Sequence, residues 1–304
     1  MAKRREEQSE KRNAQLMKAI KAVHSIVETG DIEKQRQSQN NIGNLLTVNK
    51  DVKYDTLIID NIESEWVRPA VRHLNKYIIL YCHGGGYFTG SLKYARSITS
   101  KLALATSMDV LSFDYGLAPE HPYPAAIDDA ERIWNYLLHK GYGSKNIIVA
   151  GDSAGGNLAL VLLLRLKKQE RFMPRGLVLL SPWTDLTLSG KSYEARAEID
   201  PVLDSQYLNS AIKAYADGED LVSPFISPIY GDFTGFPPTY IQVGSNEVLF
   251  NDSTMLQKQM QKADVFAQLD AFKGMWHVFQ MSPFKRANEA MNKIGDFIFS
   301  ICYM

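Results

Sequence analysis

The chain has 304 residues, of which 45% are hydrophobic, enough to bury a large core within one α/β domain. Its 34 basic and 34 acidic residues cancel, so no charge excess points to nucleic acid or to the steering of a charged substrate. Two cysteines, Cys82 and Cys302, are too few for a disulfide framework, and no Cys/His cluster has zinc-site spacing. We expect neither a metal nor a cofactor.

No export signal or membrane-spanning segment is recognisable. Residues 1–13 mix basic and acidic side chains, and no continuous apolar segment follows them, so we expect no secretion signal and a cytoplasmic location. The longest apolar run, 158–164, has seven residues, whereas a spanning helix needs about 20. We therefore expect no stable membrane insertion.

Strand-like and helical patterns alternate along most of the chain. Strands are predicted near 52–59, 66–72, 77–82, 109–114, 146–150, 176–181, 238–243 and 265–272. Helices are predicted between most of the later strands, near 93–107, 124–140, 154–170, 251–263 and 284–301. Strands separated by helices of this length predict a mostly parallel sheet that is covered on both faces.

Two regions interrupt this alternation. In the first, 1–45, apolar side chains recur at helical spacing: Leu16, Ile20, Val23 and Val27. The second is about 187–226, where the segment from Tyr193 to Tyr215 also has a helical pattern. The apolar stripe of the first region would also suit a membrane or a partner, but its polar face is not strongly basic, which disfavours a membrane.

Three successive glycines follow the strand predicted at 77–82, in the run His83-Gly84-Gly85-Gly86. Glycines after a strand let the backbone approach a ligand closely and turn its amides inward. Acyl transfer needs such amides, because its tetrahedral intermediate carries a negative oxygen, and one donor is worth about 2.7–4 kcal/mol of barrier. The alternative is a phosphate-binding loop, but neither G-x-G-x-x-G nor G-K-[ST] follows this strand.

Residues 146–157 are typical of a strand, a sharp turn and a helix. The turn, Gly151-Asp152-Ser153-Ala154-Gly155, fits the nucleophile elbow, in which a serine stands on a strained strand-to-helix crossing where side chains would collide. The elbow would set the serine hydroxyl above the sheet edge and aim the next amide at the reacting carbonyl. The alternative, a glycine-rich turn with an inert serine, is disfavoured by the flanking strand and helix.

A serine hydroxyl needs a base to become an effective nucleophile. In hydrolases that use this elbow, the serine comes first in the chain, then the acid, then the histidine. Of the six histidines, only His277 lies after Ser153. It stands in a loop after the strand predicted at 265–272, which favours a catalytic role over a packed core position.

The acid has more than one candidate. Asp185 and Glu247 each follow a predicted strand, and Asp252 lies five residues beyond Glu247. Catalytic side chains in open α/β sheets stand on loops at the carboxyl ends of strands. We favour Glu247, because it is the first carboxylate after a late strand, next to the strand that carries His277. In the alternative interpretation, Glu247 and Asp252 only cap the helix that starts near Asn251.

Together these motifs resemble those of the hormone-sensitive lipase family (bacterial family IV) of esterases. They are HGGGY at 83–87, DYGLAPEHP at 114–122, GDSAGGN at 151–157, SPWTD at 181–185 and the segment 243–252. The resemblance runs from about residue 77 to the C terminus. It implies an α/β-hydrolase fold with a mostly parallel central sheet and a helical cap. We expect one domain, 1–304, with the cap built from about 1–45 and about 187–226.

The resemblance also implies an activity. Members hydrolyse small-molecule carboxylic esters, usually with short to medium acyl chains, through an acyl-enzyme on the serine. It implies oxyanion donors at the amides of Gly85, Gly86 and Ala154. Because dimers are frequent among members, the resemblance also implies a possible homodimer.

The chain departs from the family pattern at two positions. Most members carry arginine where Gly116 stands, so this chain lacks the ion pair which that arginine makes. In the segment 243–252, Asn246 stands where related members have an acid. Asn246 cannot hold His277 as a carboxylate would. Glu247 aligns best with the catalytic position, and its spacing of 30 residues from His277 suits the family.

Tyr87, Phe88 and Trp276 are candidate walls of the substrate pocket, although aromatic side chains near a site line the core as often as the pocket. Two other functions compete with ester hydrolysis. An amidase or deacylase would use the same serine chemistry, and sequence does not separate it from an esterase. A non-catalytic receptor on the same fold is disfavoured, because both Ser153 and His277 are present.

Overall fold

The computed structural model describes residues 15, 17–22, 31–46, 51–71, 73 and 76–303. Of the apolar residues predicted to share one helix face near the N terminus, Ile20 lies in the helical residues 17–22. Leu16, Val23 and Val27 lie outside the described residues, so that part of the prediction stays open.

The centre of the molecule is an eight-stranded sheet with the spatial order β1-β2-β4-β3-β5-β6-β7-β8. Its strands are β1 (Val52–Ile59), β2 (Ile62–Pro69), β3 (Ile78–Cys82), β4 (Asp109–Phe113), β5 (Ile147–Asp152), β6 (Gly176–Leu180), β7 (Thr239–Gly244) and β8 (Ala267–Phe272). The β1–β2 and β2–β4 pairs are antiparallel, and all pairs from β4 to β8 are parallel. The predicted mostly parallel sheet is confirmed.

Helices cover both faces of the sheet. From residue 31 onward, the α-helices are α1 (Ile32–Leu46), α2 (Leu92–Thr106), α3 (Ala125–His139), α4 (Ala154–Lys168), α5 (Ser192–Ala195), α6 (Ser205–Ala216), α7 (Phe250–Lys262) and α8 (Lys285–Cys302). The apolar faces of α2 and α8 pack on one side of the sheet, and those of α3, α4 and α7 pack on the other. The five helices predicted between 93 and 301 match within two residues at each end.

The central strands read as continuous apolar runs because both of their faces are buried. In β3, Ile78 and Leu80 belong to one core cluster, whereas Ile79 and Tyr81 belong to the other. The apolar run at 158–164 is the buried middle of α4, packed behind the elbow. Burial in the core, and not a membrane, accounts for that run.

The strand predicted at 66–72 begins at Ile62 and ends at Pro69, so its predicted bounds are wrong. Asp60 and Asn61, with φ of 47° and 67°, form a tight hairpin turn directly before it. Charged residues at the start of this strand make its sequence unlike that of a buried strand. Glu65, for example, is 1% exposed because it pairs with Arg96 on α2.

The segment predicted as helical from Tyr193 to Tyr215 is two helices, α5 and α6, with a non-helical stretch between them. Pro201 lies in that stretch, where its ring and missing N–H oppose a continuous helix. The side chain of Asp204 then caps α6 by accepting a hydrogen bond from the amide of Tyr207, 2.8 Å away.

The register of the six parallel strands brings their six following loops to one edge of the sheet. Cys82 pairs with Gly151, so the loops after β3 and β5 emerge side by side. The ends of β6 and β7 follow beside them, and Gly244 at the end of β7 pairs with Phe272 at the end of β8. Parallel strands have all their carboxyl ends at this edge, which is where open α/β sheets bind ligands.

Candidate active site

Ser153 stands on the turn between β5 and α4. Its backbone has φ 53° and ψ −122°, outside the regions that residues with side chains favour. A Cβ atom on Gly155 would lie 2.1 Å from the carbonyl oxygen of Cys82, and one on Gly151 would lie 2.3 Å from that of Gly155. Only glycine fits these two positions, so the chain crosses here as tightly as a nucleophile elbow requires.

A chain of hydrogen bonds joins Ser153, His277 and Glu247. Nε2 of His277 lies 2.9 Å from Oγ of Ser153, and Nδ1 lies 2.9 Å from Oε2 of Glu247. Ser153 is 8% exposed, His277 is 7% exposed and Glu247 is 0% exposed. The hydrogen bond between His277 and Glu247 is therefore the one further from solvent. The loops after β5, β7 and β8 thus bring together three side chains that are far apart in sequence.

The pKa of His277 reflects opposed influences. Burial of the imidazole lowers its pKa, but the hydrogen bond and the negative charge of Glu247 outweigh burial, and the charges of Asp200 and Asp152 add to the rise. The resulting pKa lies above the usual value of 6.5. The neutral imidazole, which can accept a proton, therefore dominates only at a pH above this raised pKa.

The other two candidate acids, Asp252 and Asp185, make their hydrogen bonds elsewhere. Asp252 accepts hydrogen bonds from the amides of Thr184 and Asp185, at 2.7 and 3.0 Å, and burial raises its pKa to about 7. Asp185 accepts hydrogen bonds from amides and hydroxyls of its own turn. Of the three candidates, Glu247 is the one hydrogen-bonded to His277.

The glycine loop after β3 lies against the elbow. Gly85 and Gly86 have φ of 119° and 63°, which glycine adopts without steric cost. The fully buried carboxylate of Asp152 accepts a hydrogen bond from the amide of Gly84, 2.8 Å away, and from the hydroxyls of two tyrosines on β3 and α2. This carboxylate, which the motif alone did not single out, fixes the glycine loop to the residue beside Ser153.

Asp200 is a second buried carboxylate that the motifs do not mark. It is 3% exposed, and it accepts hydrogen bonds from the amide of Val248, at 2.8 Å, and from two amides of its own turn. Burial raises its pKa to about 6. Because Val248 directly follows Glu247, Asp200 holds the loop of the acid to the segment between α5 and α6. The sequence offered no signal for this beyond an acid before Pro201.

The aromatic residues predicted to line the pocket are all buried. Tyr87 is 0% exposed, its hydroxyl donates to Oδ1 of Asn157 at 2.7 Å, and its ring stacks on Tyr215 at 3.8 Å. These contacts are those of a core residue. Phe88 and Trp276 are 5% and 4% exposed. The role of all three as pocket walls stays a prediction.

The two departures from the family pattern have local explanations. The amide of Gly116 donates to Oδ2 of Asp129 at 2.9 Å, and a Cβ atom there would lie 2.9 Å from that of His121, which leaves little room for a side chain. The amide of Asn246 donates to the carbonyl oxygen of Met275 at 3.0 Å. Asn246 therefore joins the loop of the acid to the loop of the histidine through its backbone.

Both cysteines, Cys82 on β3 and Cys302 at the end of α8, are free and buried. Among the residues that the structure describes, no group of three or more histidine, cysteine or acidic side chains is placed to hold a metal ion. Within the same described residues, no helix has both the length and the apolar character needed to cross a membrane.

Comparison with known proteins identifies the family. A family profile described as alpha/beta hydrolase fold matches residues 79–281, well over half of the chain. The structure also superposes on a crystal structure of an esterase from the bacterial hormone-sensitive lipase family with a TM-score of 0.91 and 30% identity, covering 95% of this chain and 98% of that one. The chain belongs to the hormone-sensitive lipase family of α/β-hydrolase esterases.

Curated relatives agree with this assignment. This hormone-sensitive lipase family member is 43% identical to an esterase of Acinetobacter venetianus over 74% of its own length and 75% of the relative's. It is 36% identical to an acetyl-hydrolase of Streptomyces hygroscopicus over 82% of its own length and 83% of the relative's. The fold and the family predicted from the sequence motifs are confirmed.

Proposed function

We propose that Ser153, His277 and Glu247 are the nucleophile, the general base and the orienting acid of this carboxylesterase. The observation that carries the proposal is the unbroken hydrogen-bonded chain from the serine hydroxyl, through both ring nitrogens of the imidazole, to a fully buried carboxylate. A serine, histidine and acid in this order and geometry perform acyl transfer on unrelated folds. Their position at the carboxyl edge of the sheet supports the same conclusion.

In the proposed reaction, Nε2 of His277 accepts the proton of Ser153 as Oγ attacks the ester carbonyl carbon. Glu247 accepts the hydrogen bond from Nδ1 and stabilises the imidazolium that forms. The imidazolium then gives its proton to the departing alcohol, leaving an acyl group on the serine. A water molecule, deprotonated by the same imidazole, attacks the acyl-enzyme, and the carboxylic acid leaves as the serine recovers its proton.

The amides of Gly85, Gly86 and Ala154 are the proposed donors to the oxyanion. Two observations support them: the glycine loop and the elbow follow neighbouring strands, and Asp152 fixes the loop through the amide of Gly84. Donors held in place before the reaction need no reorganisation when the negative charge develops.

We assign the cap to the N-terminal segment up to about residue 45 and to about 187–226. Met17 and Ile20, in the helical residues 17–22, pack against the apolar cluster that contains Trp276, next to the proposed base. Val202, in the stretch between α5 and α6, packs against the same cluster. Both segments therefore pack against one cluster, which includes Trp276 and Phe279 of the loop of His277, and this supports a shared role in covering the site.

Arg36 supports the assignment of α1 to the cap. Its guanidinium donates to the carbonyl oxygens of Phe88 and Ala118, at 2.8 and 2.9 Å, and pairs with Glu120 through two hydrogen bonds. Lysine keeps the charge but cannot make these four bonds at once. We expect Arg36→Lys to raise KM by about threefold or more with kcat within about twofold. Lys34→Ala, at an exposed position of the same helix, is the control, and an unchanged KM in Arg36→Lys contradicts the assignment.

We propose that the substrate is a small-molecule ester with a short to medium acyl chain. Phe88 lies in the glycine loop and Trp276 directly precedes His277, so as pocket walls these bulky side chains would leave a narrow space beside Ser153. One curated relative is named an acetyl-hydrolase, which supports a small acyl group.

Hydrolysis of p-nitrophenyl esters from acetate to laurate, with matched p-nitroanilides, tests this function. We expect the short and medium esters to react fastest, the anilides to react far more slowly, and Ser153→Ala to abolish turnover of all of them. Faster anilide hydrolysis would make the protein an amidase. Saturable ester binding without turnover in the wild type would indicate a receptor instead.

A cytoplasmic location and a homodimer remain proposals. The two free, buried cysteines support a reducing compartment, because exported proteins more often pair such residues. Cell fractionation and light scattering of the purified protein test the two proposals separately, and a monomeric mass would exclude the dimer.

A further inference from the structure

Ser181 is the first residue after β6 and belongs to the SPWTD motif, to which the proposed mechanism gives no part. It is 0% exposed and has φ 48°, a left-handed conformation that is uncommon for a residue with a side chain. Its amide donates to the carbonyl oxygen of Gln242 on β7 at 2.7 Å. The backbone of Ser181 is thus fixed between β6 and β7, at the edge where the site lies.

The hydroxyl of Ser181 contacts both the acid and the loop of the base. Its Oγ donates to Oε1 of Glu247 at 2.9 Å and accepts a hydrogen bond from the amide of Val278 at 3.2 Å. The amide of Gly244 also donates to Oε1 of Glu247, whereas Oε2 accepts from His277. One oxygen of the carboxylate is therefore anchored, and the other holds the imidazole.

Val278 shows why the loop of the base needs such an anchor. It directly follows His277 and has φ 48°, a rare conformation for a β-branched residue, which persists only where surrounding contacts impose it. The hydroxyl of Ser181 is one such contact. On the other side of the loop, Nζ of Lys101 donates to the carbonyl oxygens of Gln280 and Ser282, at 2.6 and 2.7 Å.

The geometry points to Ser181 as a positioning residue whose hydroxyl fixes the Glu247 carboxylate relative to the loop of His277 and so sets the hydrogen bond between them. This inference rests on the proposed roles of Glu247 and His277. Ser181 itself is fully buried. It therefore acts on the reaction through Glu247 and Val278, without contacting the substrate.

Ser181→Ala is the principal test. The change removes a donor to a charged oxygen and leaves the buried amide of Val278 without its acceptor, so we expect kcat to fall by about tenfold or more. KM should stay within about twofold, because no substrate contact changes. The acid limb of kcat/KM should move to lower pH, because a loosened Glu247 raises the pKa of His277 less. Asp200 and Asp152, the other carboxylates that raise this pKa, are left in place.

Ser253 provides the matched control. It is a fully buried serine on α7, and within the described part of the chain its hydroxyl has no hydrogen-bond partner. Ser253→Ala should therefore leave kcat and the pH profile unchanged. Ser181→Cys, which keeps the size but donates weakly, should give an intermediate kcat, and it carries the test if Ser181→Ala does not fold.

The inference is overturned if both Ser181 variants keep kcat within about twofold of wild type, or if Ser253→Ala loses as much as they do. Glu247→Gln is measured beside them, and if it is also fully active, the failure lies in the proposed acid and not in Ser181.

Discussion

The serine half of the site and its acid half are held by different kinds of contact. Around Ser153, backbone packs directly on backbone, with Gly155 against the end of β3. Around Glu247 and His277, side chains from separate parts of the chain make hydrogen bonds, among them Ser181. The first half should therefore be sensitive to any added atom, whereas the second should be sensitive to any lost hydrogen bond or charge.

The largest expected effect comes from removing the charge of the acid. Glu247→Gln keeps the shape of the side chain but cannot stabilise the imidazolium as a carboxylate does, so we expect kcat to fall by about 10³-fold to 10⁴-fold. Asp252→Asn and Asp185→Asn, whose carboxylates bond elsewhere, should lose less than about tenfold. Steady-state kinetics on p-nitrophenyl acetate gives the ranking, and a larger loss in either aspartate variant would move the role of the acid.

Adding one carbon atom tests the serine half. A Cβ atom in Gly155→Ala would lie 2.1 Å from the carbonyl oxygen of Cys82, and this contact is between backbones that cannot yield independently. We expect the free energy of unfolding to fall by about 3 kcal/mol or more, measured by urea denaturation. Gly143→Ala is the control, because Gly143 is exposed with φ −71°, and its loss should stay within about 0.5 kcal/mol. Equal stability of both variants would show that the crossing is not tight.

The smallest of these effects is in the pH profile. The pKa of His277 is raised above 6.5. Below this raised pKa, the imidazole is protonated and inactive as a base. We expect kcat/KM to rise with an apparent pKa above 6.5 and to fall about tenfold for each pH unit below it. Glu247→Gln should move that apparent pKa downward. A flat profile to pH 5 would exclude His277 as the base.

The same division explains what could be predicted from the sequence. The elbow and the glycine loop are each continuous in the chain, and their glycines mark positions where a side chain would collide. Ser153 and its surroundings could therefore be predicted. His277 could be predicted from chain order and from its place in a loop after a strand. Glu247 could be favoured over Asp185 by its place after a late strand and by its alignment with the family pattern, because nothing local distinguishes one buried carboxylate from another.

The contacts that hold the acid half could not be predicted. Ser181 and Asp200 act through residues more than 40 positions away in sequence, at 66 and 48 residues respectively. Such contacts depend on strand register, and a shift of one residue would turn the side chains to the other face. The start of β2 at Ile62 was missed for a related reason, since its buried Glu65 is stabilised by a partner on α2.

The most direct test of the proposed site is covalent labelling with a p-nitrophenyl phosphonate ester, followed by mass spectrometry of the digested protein. We expect one adduct per chain, on the peptide that contains Ser153, formed at a rate that falls steeply in His277→Ala. An adduct on another residue, or an unchanged labelling rate without His277, would contradict the account.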